Sequence, residues 1–77
     1  MTSHPNRSKT NRAMRANPTP AEIRAAREKA ELTQEEAARV IYGTLHSWQN
    51  WESEDPVHSR RMHPAIFELF LIKTKQL

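Results

Sequence analysis

The residues of this chain whose types and spacing suit recognition chemistry are His46, Gln49 and Asn50, with Leu45 just ahead of them. Counting about 100° per residue from Leu45, as in an α-helix, His46, Gln49, Asn50 and Ser53 gather near 90°. Trp48 and Trp51 fall near 300° and 240°, on the opposite side. The first group is polar, carries no Lys or Glu, and includes two side-chain amides. An amide donates and accepts together, which matches the paired donors and acceptors on base edges in a DNA major groove. Leu45 would meet a thymine methyl at the leading end. The plainer alternative, four tolerated surface residues on a solvated helix, stays open from this stretch alone. The two indoles are expected in a core, because aromatics at i, i+3 on one face bury a large area.

Other chemistry finds less support. The four histidines share no i, i+4 spacing with each other or with a carboxylate pair, and the chain has no Cys. A zinc site is therefore not expected. Ser47 and Ser59 lack a base and an orienting partner in sequence. With one glycine in the chain, no Gly-rich phosphate loop can be built. The expectation is a protein that is not an enzyme, with no cofactor, no metal and no small-molecule effector.

Several elements must hold this helix in place. Thr44 is placed to cap its N-terminus. Ahead of it, Gly43 marks a corner and is the expected site of a positive φ. A preceding helix, about Gln34–Tyr42, starts with a Thr33…Glu36 capping box and shows an apolar stripe of Ala37, Val40 and Ile41. The small Ala37 and Ala38 would let the next helix cross closely. Upstream, Thr19-Pro20-Ala21-Glu22 is a second capping box with proline at the first helical position. It predicts a helix over Pro20 to Ala30, with Ile23, Ala26 and Ala30 inward and Arg24, Arg27 and Lys29 outward. Pro56 ends the helix of the amides, predicted over Leu45–Ser53. Arg60 and Arg61 follow it and are candidates for flanking phosphates, while Met62 is expected to plug the core. Pro64 opens a last helix to about Lys75. There Ile66, Leu69, Phe70 and Lys73 define one face, and Phe67 and Leu71 a second. One face would seal the domain; the surplus predicts a second copy of the chain against Phe67, Phe70 and Leu71, the alternative being a fully enclosed helix covered by the arm or by the first helix.

Helix, short corner and helix over Leu32–Glu52 is the outline of a helix-turn-helix. The run Leu32, Thr33, Gln34, Glu35, Glu36, Ala38, Ile41, Thr44, Trp48, Trp51 and Glu52 resembles the Xre/Cro-type helix-turn-helix of phage and bacterial repressors without a gap. The tail (Arg60-x-Met62-x-Pro64, then Glu68-Leu69-Phe70) looks like small repressors of phage and mobile-element origin, a group that includes anti-CRISPR-associated repressors. The resemblance covers Pro18 to about Lys75. It implies an all-α, lambda repressor/Cro-like domain of four helices, or five if residues 13–16 add one. It also implies transcriptional repression by a dimer on an inverted-repeat operator in double-stranded DNA. On this reading Leu45, His46, Gln49 and Asn50 meet bases, and Gln34, Thr44, Ser47, Arg60, Arg61, Arg12 and Arg15 meet phosphates; the role of Gln34 is carried over from the family. Two departures stand out. Glu31 and Tyr42 occupy positions where the family has glycine, and the reading helix lacks the Arg or Lys that many relatives place there.

At 77 residues the chain is expected to form one small domain, marginal in the surface it can bury. The net charge of +3 divides unevenly: Arg7, Lys9, Arg12 and Arg15 fall in residues 1–18, which hold no acid. The remaining eight basic residues face nine acidic ones. Phosphate affinity of the body must then come from local placement. Residues 1–17 are predicted to be a flexible basic arm, suited to phosphates or a minor groove. No apolar run is long enough for a membrane span, and no signal-peptide pattern opens the chain. A cytoplasmic, nucleoid-associated setting in a bacterial or phage-infected cell is expected. Two rivals remain: an antitoxin-like protein-interaction module on the same fold, and a non-specific architectural or RNA binder acting through the arm.

Overall fold

The computed structural model describes residues 16–77, and among them every regular element is a helix. In chain order these are α1 (Pro20–Lys29), α2 (Gln34–Val40), α3 (Leu45–Glu52) and α4 (Pro64–Lys73). No helix is long and apolar enough to cross a membrane among the described residues. Arg12 and Arg15, the segment 13–15 and the rest of the basic arm to residue 15 lie outside the described residues. Asn17, expected in the arm, instead belongs to the body: its Nδ2 donates to the Met62 carbonyl at 2.7 Å, and the next residue, Pro18, is buried.

The helix starts follow from local chemistry. Thr19 and Thr33 each accept from the backbone N–H three residues on, and Glu22 and Glu36 each accept from the cap's own N–H. Both orphan donors at each start are thereby satisfied. Thr44 caps α3 by accepting from the Ser47 N–H at 3.1 Å. His63 caps α4, with its Nδ1 accepting from the Ala65 N–H, ahead of Pro64.

The helix ends overturn one expectation. Gly43 does not adopt a positive φ; Glu31, Tyr42 and Lys75 do, at 60°, 63° and 63°. Each sits one residue past a helix cap. In each case its N–H and the next residue's N–H return to carbonyls of the last turn: Glu31 to Glu28 and Leu32 to Arg27, Tyr42 to Arg39 and Gly43 to Ala38, Lys75 to Ile72 and Gln76 to Leu71. This is the Schellman arrangement, ordinarily closed by glycine. Here three ordinary residues carry the left-handed turn, at a cost of about 1 kcal/mol each. A Cβ at Gly43 would stand 2.8 Å from Ile41 Cδ1, the movable end of that side chain, and in ordinary contact with the Ala38 carbonyl and the Trp51 ring at 3.6 and 3.9 Å, so only Ile41 would have to shift.

The core is Ile23, Ala26, Ala37, Ala38, Ile41, Trp48, Met62 and Phe70. Trp48 and Phe70 are fully enclosed, with ring centroids 5.0 Å apart, and Trp51 meets Trp48 edge-on at 5.7 Å. The small Ala37 and Ala38 are fully buried where α2 packs on α3. Met62 is fully buried within the same cluster.

In α4 the structure divides the apolar residues differently from the sequence reading. Phe70 is at 0% exposure and belongs to the core, so it is unavailable to a partner; Ile66, Phe67 and Leu71 pack half-buried beside it. Leu69 and Ile72 face outward, at 38% and 53% exposure. The reason is that α4 is apolar on nearly every side, so periodicity alone defines no inner stripe. Its C-terminus is tied down by Gln76, which donates to the Ala26 carbonyl at 2.9 Å, and by Lys73, which lies over the Tyr42 ring and donates to its hydroxyl.

Candidate nucleic-acid interface

Glu52, the last residue of α3, organises the surroundings of the amide-bearing face. Its side chain is 3% exposed. It accepts from Arg27 Nε at 2.6 Å and Nη2 at 3.0 Å, from Trp48 Nε1 at 2.5 Å and from Gln34 Nε2 at 3.2 Å. Arg27 also donates to the Leu32 carbonyl, beyond the end of α1. One carboxylate therefore joins α1, α2 and α3. Burial pushes its pKa up, but the hydrogen bonds from Arg27 and Trp48, the charge of Arg27 and the Gln34 amide outweigh that and hold it below the ordinary value. No buried side-chain polar atom lacks a partner among the described residues, as a polar network in a core requires. The outward, solvated role expected for Arg27 is thus corrected: its guanidinium is turned in and paired.

With its inner face pinned, α3 turns other residues out. Leu45, His46 and Gln49 are exposed, and Asn50 is half-buried. These four occupy a helix of eight residues, about 12 Å long at 1.5 Å per residue. At its start, the Thr44 hydroxyl donates to Ser47 Oγ at 3.1 Å, so the Ser47 hydroxyl hydrogen is not used in that bond. At its far end, the Asn50 carbonyl accepts from the Arg60 N–H at 3.1 Å. That bond brings the loop 53–63 back beside α3.

The expected phosphate ligands differ in freedom. Arg60 bends its Nη1 onto the Val57 and Ser59 carbonyls of its own loop, so its guanidinium is partly spent. Arg61 is exposed and forms no salt bridge among the described residues. Gln34 gives one N–H to Glu52 and keeps a second; the orientation of its amide follows from the need to donate to a carboxylate. Arg24 was expected on the outward, solvated face of α1, among charges of which one or two could touch phosphate. Its Nε lies 3.6 Å from Glu52, with its side chain 47% exposed. Two arginines thus stand against Glu52 next to Gln34, with Glu28 also acting on Arg27 from the same helix. The signal that could have revealed this is the alignment of Arg24 and Arg27 on one side of α1, at i, i+3.

The histidines are engaged separately. His46 is on the exposed face of α3, His58 pairs with Asp55 at 2.9 Å in the loop, and His63 caps α4. No group of three or more His, Cys, Asp or Glu able to hold a metal ion occurs among the described residues.

No protein-family model matches the chain, and comparison with curated proteins found none similar to it.

Proposed function

We propose that this chain is a sequence-specific DNA-binding regulator of transcription, an Xre/Cro-type helix-turn-helix repressor that acts as a dimer on an inverted repeat. The observation that carries the reading is the two-sidedness of α3. Trp48 and Glu52 lock one face into the body, while Leu45, His46 and Gln49 are left in solvent with Asn50 beside them. In this reading α3 lies in the major groove, the amides of Gln49 and Asn50 and the ring of His46 contact base edges, and Leu45 meets a thymine methyl. Phosphates are held by Arg61 and Arg24, by the second N–H of Gln34, by Ser47, and by Arg12 and Arg15 of the arm. Arg60 contributes less, because its own loop competes for it.

The test is selection of bound duplexes from a random pool, followed by titration of the selected and a scrambled duplex. The expected result is an inverted repeat with half-sites about one DNA turn apart. Gln49→Ala is expected to lose about 1–3 kcal/mol of discrimination at one base pair. Arg61→Ala is expected to weaken both duplexes alike and to reduce the salt slope by about one unit. No enrichment of any sequence, or equal losses on both duplexes for both variants, sinks the reading.

A second reading, a protein-interaction module of antitoxin type, is favoured by one observation: Leu69 and Ile72 are exposed apolar residues on one side of α4. A chain of that kind would ignore duplex DNA while changing size with a protein partner.

A further inference from the structure

Phe67 and Leu71 point away from Leu69 and Ile72, toward an open groove of about 360 Å³ between α4 and the start of α1. Its apolar lining includes Pro18, Phe67, Leu71 and the largely exposed Leu77. Its rim carries two carboxylates, Glu22 and Glu68. Glu22 already accepts from the Thr19 N–H, whereas Glu68 has no cationic partner among the described residues. Half-buried aromatic and aliphatic side chains under an acidic rim suit a ligand that is apolar at its centre and cationic at its ends.

The chain itself supplies such a ligand at the groove's edge. Ala16 and Asn17 line the groove, and the Asn17–Met62 bond fixes where the backbone leaves the body. The next residues upstream are Arg15, Met14, Ala13 and Arg12: two small or flexible apolar side chains between two cations. Met14 is two residues from Ala16, a span of about 7 Å in extended chain. Closing so short a loop adds little entropic cost. Methionine is also the side chain best able to fill an irregular apolar gap and to lie against an aromatic ring.

We infer that the groove between α4 and the start of α1 is the seat of the chain's own Arg12–Arg15 segment, with Met14 over Phe67 and Leu71 and an arginine against Glu68. A seated arginine is neutralised by the rim and so is not offered to a phosphate. The segment then has two alternative anionic partners, its own Glu68 and an external polyanion, and exchange between them follows ionic strength. The seat stands on the groove and the segment alone; it holds whether or not the chain regulates transcription.

The test uses the full chain without DNA, with methyl-labelled methionine, and assigns the Met14 methyl by Met14→Leu. The expected result is cross-relaxation from that methyl to the Phe67 ring and the Leu71 methyls, with a resonance shifted upfield from its position in a peptide of residues 1–17. Glu68→Lys, a change at an exposed position, is expected to weaken these cross-peaks and return the methyl toward the peptide position. A Met14 methyl at the peptide position in the unaltered chain overturns the inference. So do cross-peaks unaffected by Glu68→Lys. Cross-peaks that appear only between differently labelled copies overturn it as well, since they assign the groove to a second molecule.

Discussion

Glu52 receives four hydrogen bonds and serves three helices. Removing its charge leaves the half-buried guanidinium of Arg27 uncompensated, a loss of about 3–5 kcal/mol for a buried pair broken on one side. Glu52→Gln is therefore expected to lower the stability measured by urea unfolding by about 3 kcal/mol. The pH dependence has a definite sign. The carboxyl's pKa is depressed in the folded chain, so the unfolded chain takes up the proton first. The stability it contributes is complete above the ordinary value of 4.5 and is lost as the pH falls from there through the lower folded value. Glu36 and Asp55 are depressed as well, so Glu52→Gln should flatten the acid limb of the stability curve without abolishing it. An acid limb as steep as in the unaltered chain would show that the Glu52 network contributes little. That Glu52 could accept from a nearby basic residue was readable in sequence; which side chains would meet it was not. Its position beside Trp48 on the helix was evident, but a carboxylate four residues after an indole accepts from it only if both turn inward. That depends on where α1 supplies Arg27.

At the scale of the elements, the starts and, to within two residues, the ends were written in the sequence, but the way the ends close was not. Two threonine–glutamate boxes and the Pro-led last helix mark starts that the structure reproduces at Pro20, Gln34 and Pro64. Their chemistry is local, complete within four residues. The ends depend on three residues in a conformation that their types disfavour, held by two backbone bonds apiece. Glu31→Gly removes the strain at an exposed position. It is expected to raise stability by about 1 kcal/mol, seen as a melting point about 4–8 °C higher for a domain of this size. A lower melting point would mean that the Glu31 side chain contributes more than its backbone costs. The division of α4 was hidden for a different reason: with apolar residues all round, only the neighbours decide which ones are enclosed. Phe70 lies against Trp48, and Phe70→Ala is expected to cost about 3–5 kcal/mol in unfolding experiments.

For the whole molecule, the question is what an apolar outer side of α4 does in a body whose charges nearly cancel. Leu69 and Ile72 are the exposed pair on α4, and they replace Phe67, Phe70 and Leu71 as the residues on which the proposed dimer turns. Sedimentation of the unaltered chain is expected to show concentration-dependent association, with Leu69→Ser and Ile72→Ser shifting it toward monomer without lowering the melting point. A monomer at all concentrations, or variants that associate as before, would assign α4's outer side no role in pairing. The candidate reading face was the most legible part of the chain, because an amide-rich, charge-free stripe opposite two tryptophans is decided by helical geometry alone. Its supports, Arg24 and Arg27 with Glu52, come from a helix some 25 residues upstream and required the fold.

That separation between a pinned inner side and an unburdened outer one has an evolutionary corollary. Gln49 and His46 make no side-chain hydrogen bond within the described residues, so exchanging them removes nothing on which folding relies. The chemistry presented by that face can therefore change by single codon changes at those two positions while the fold that carries it is kept.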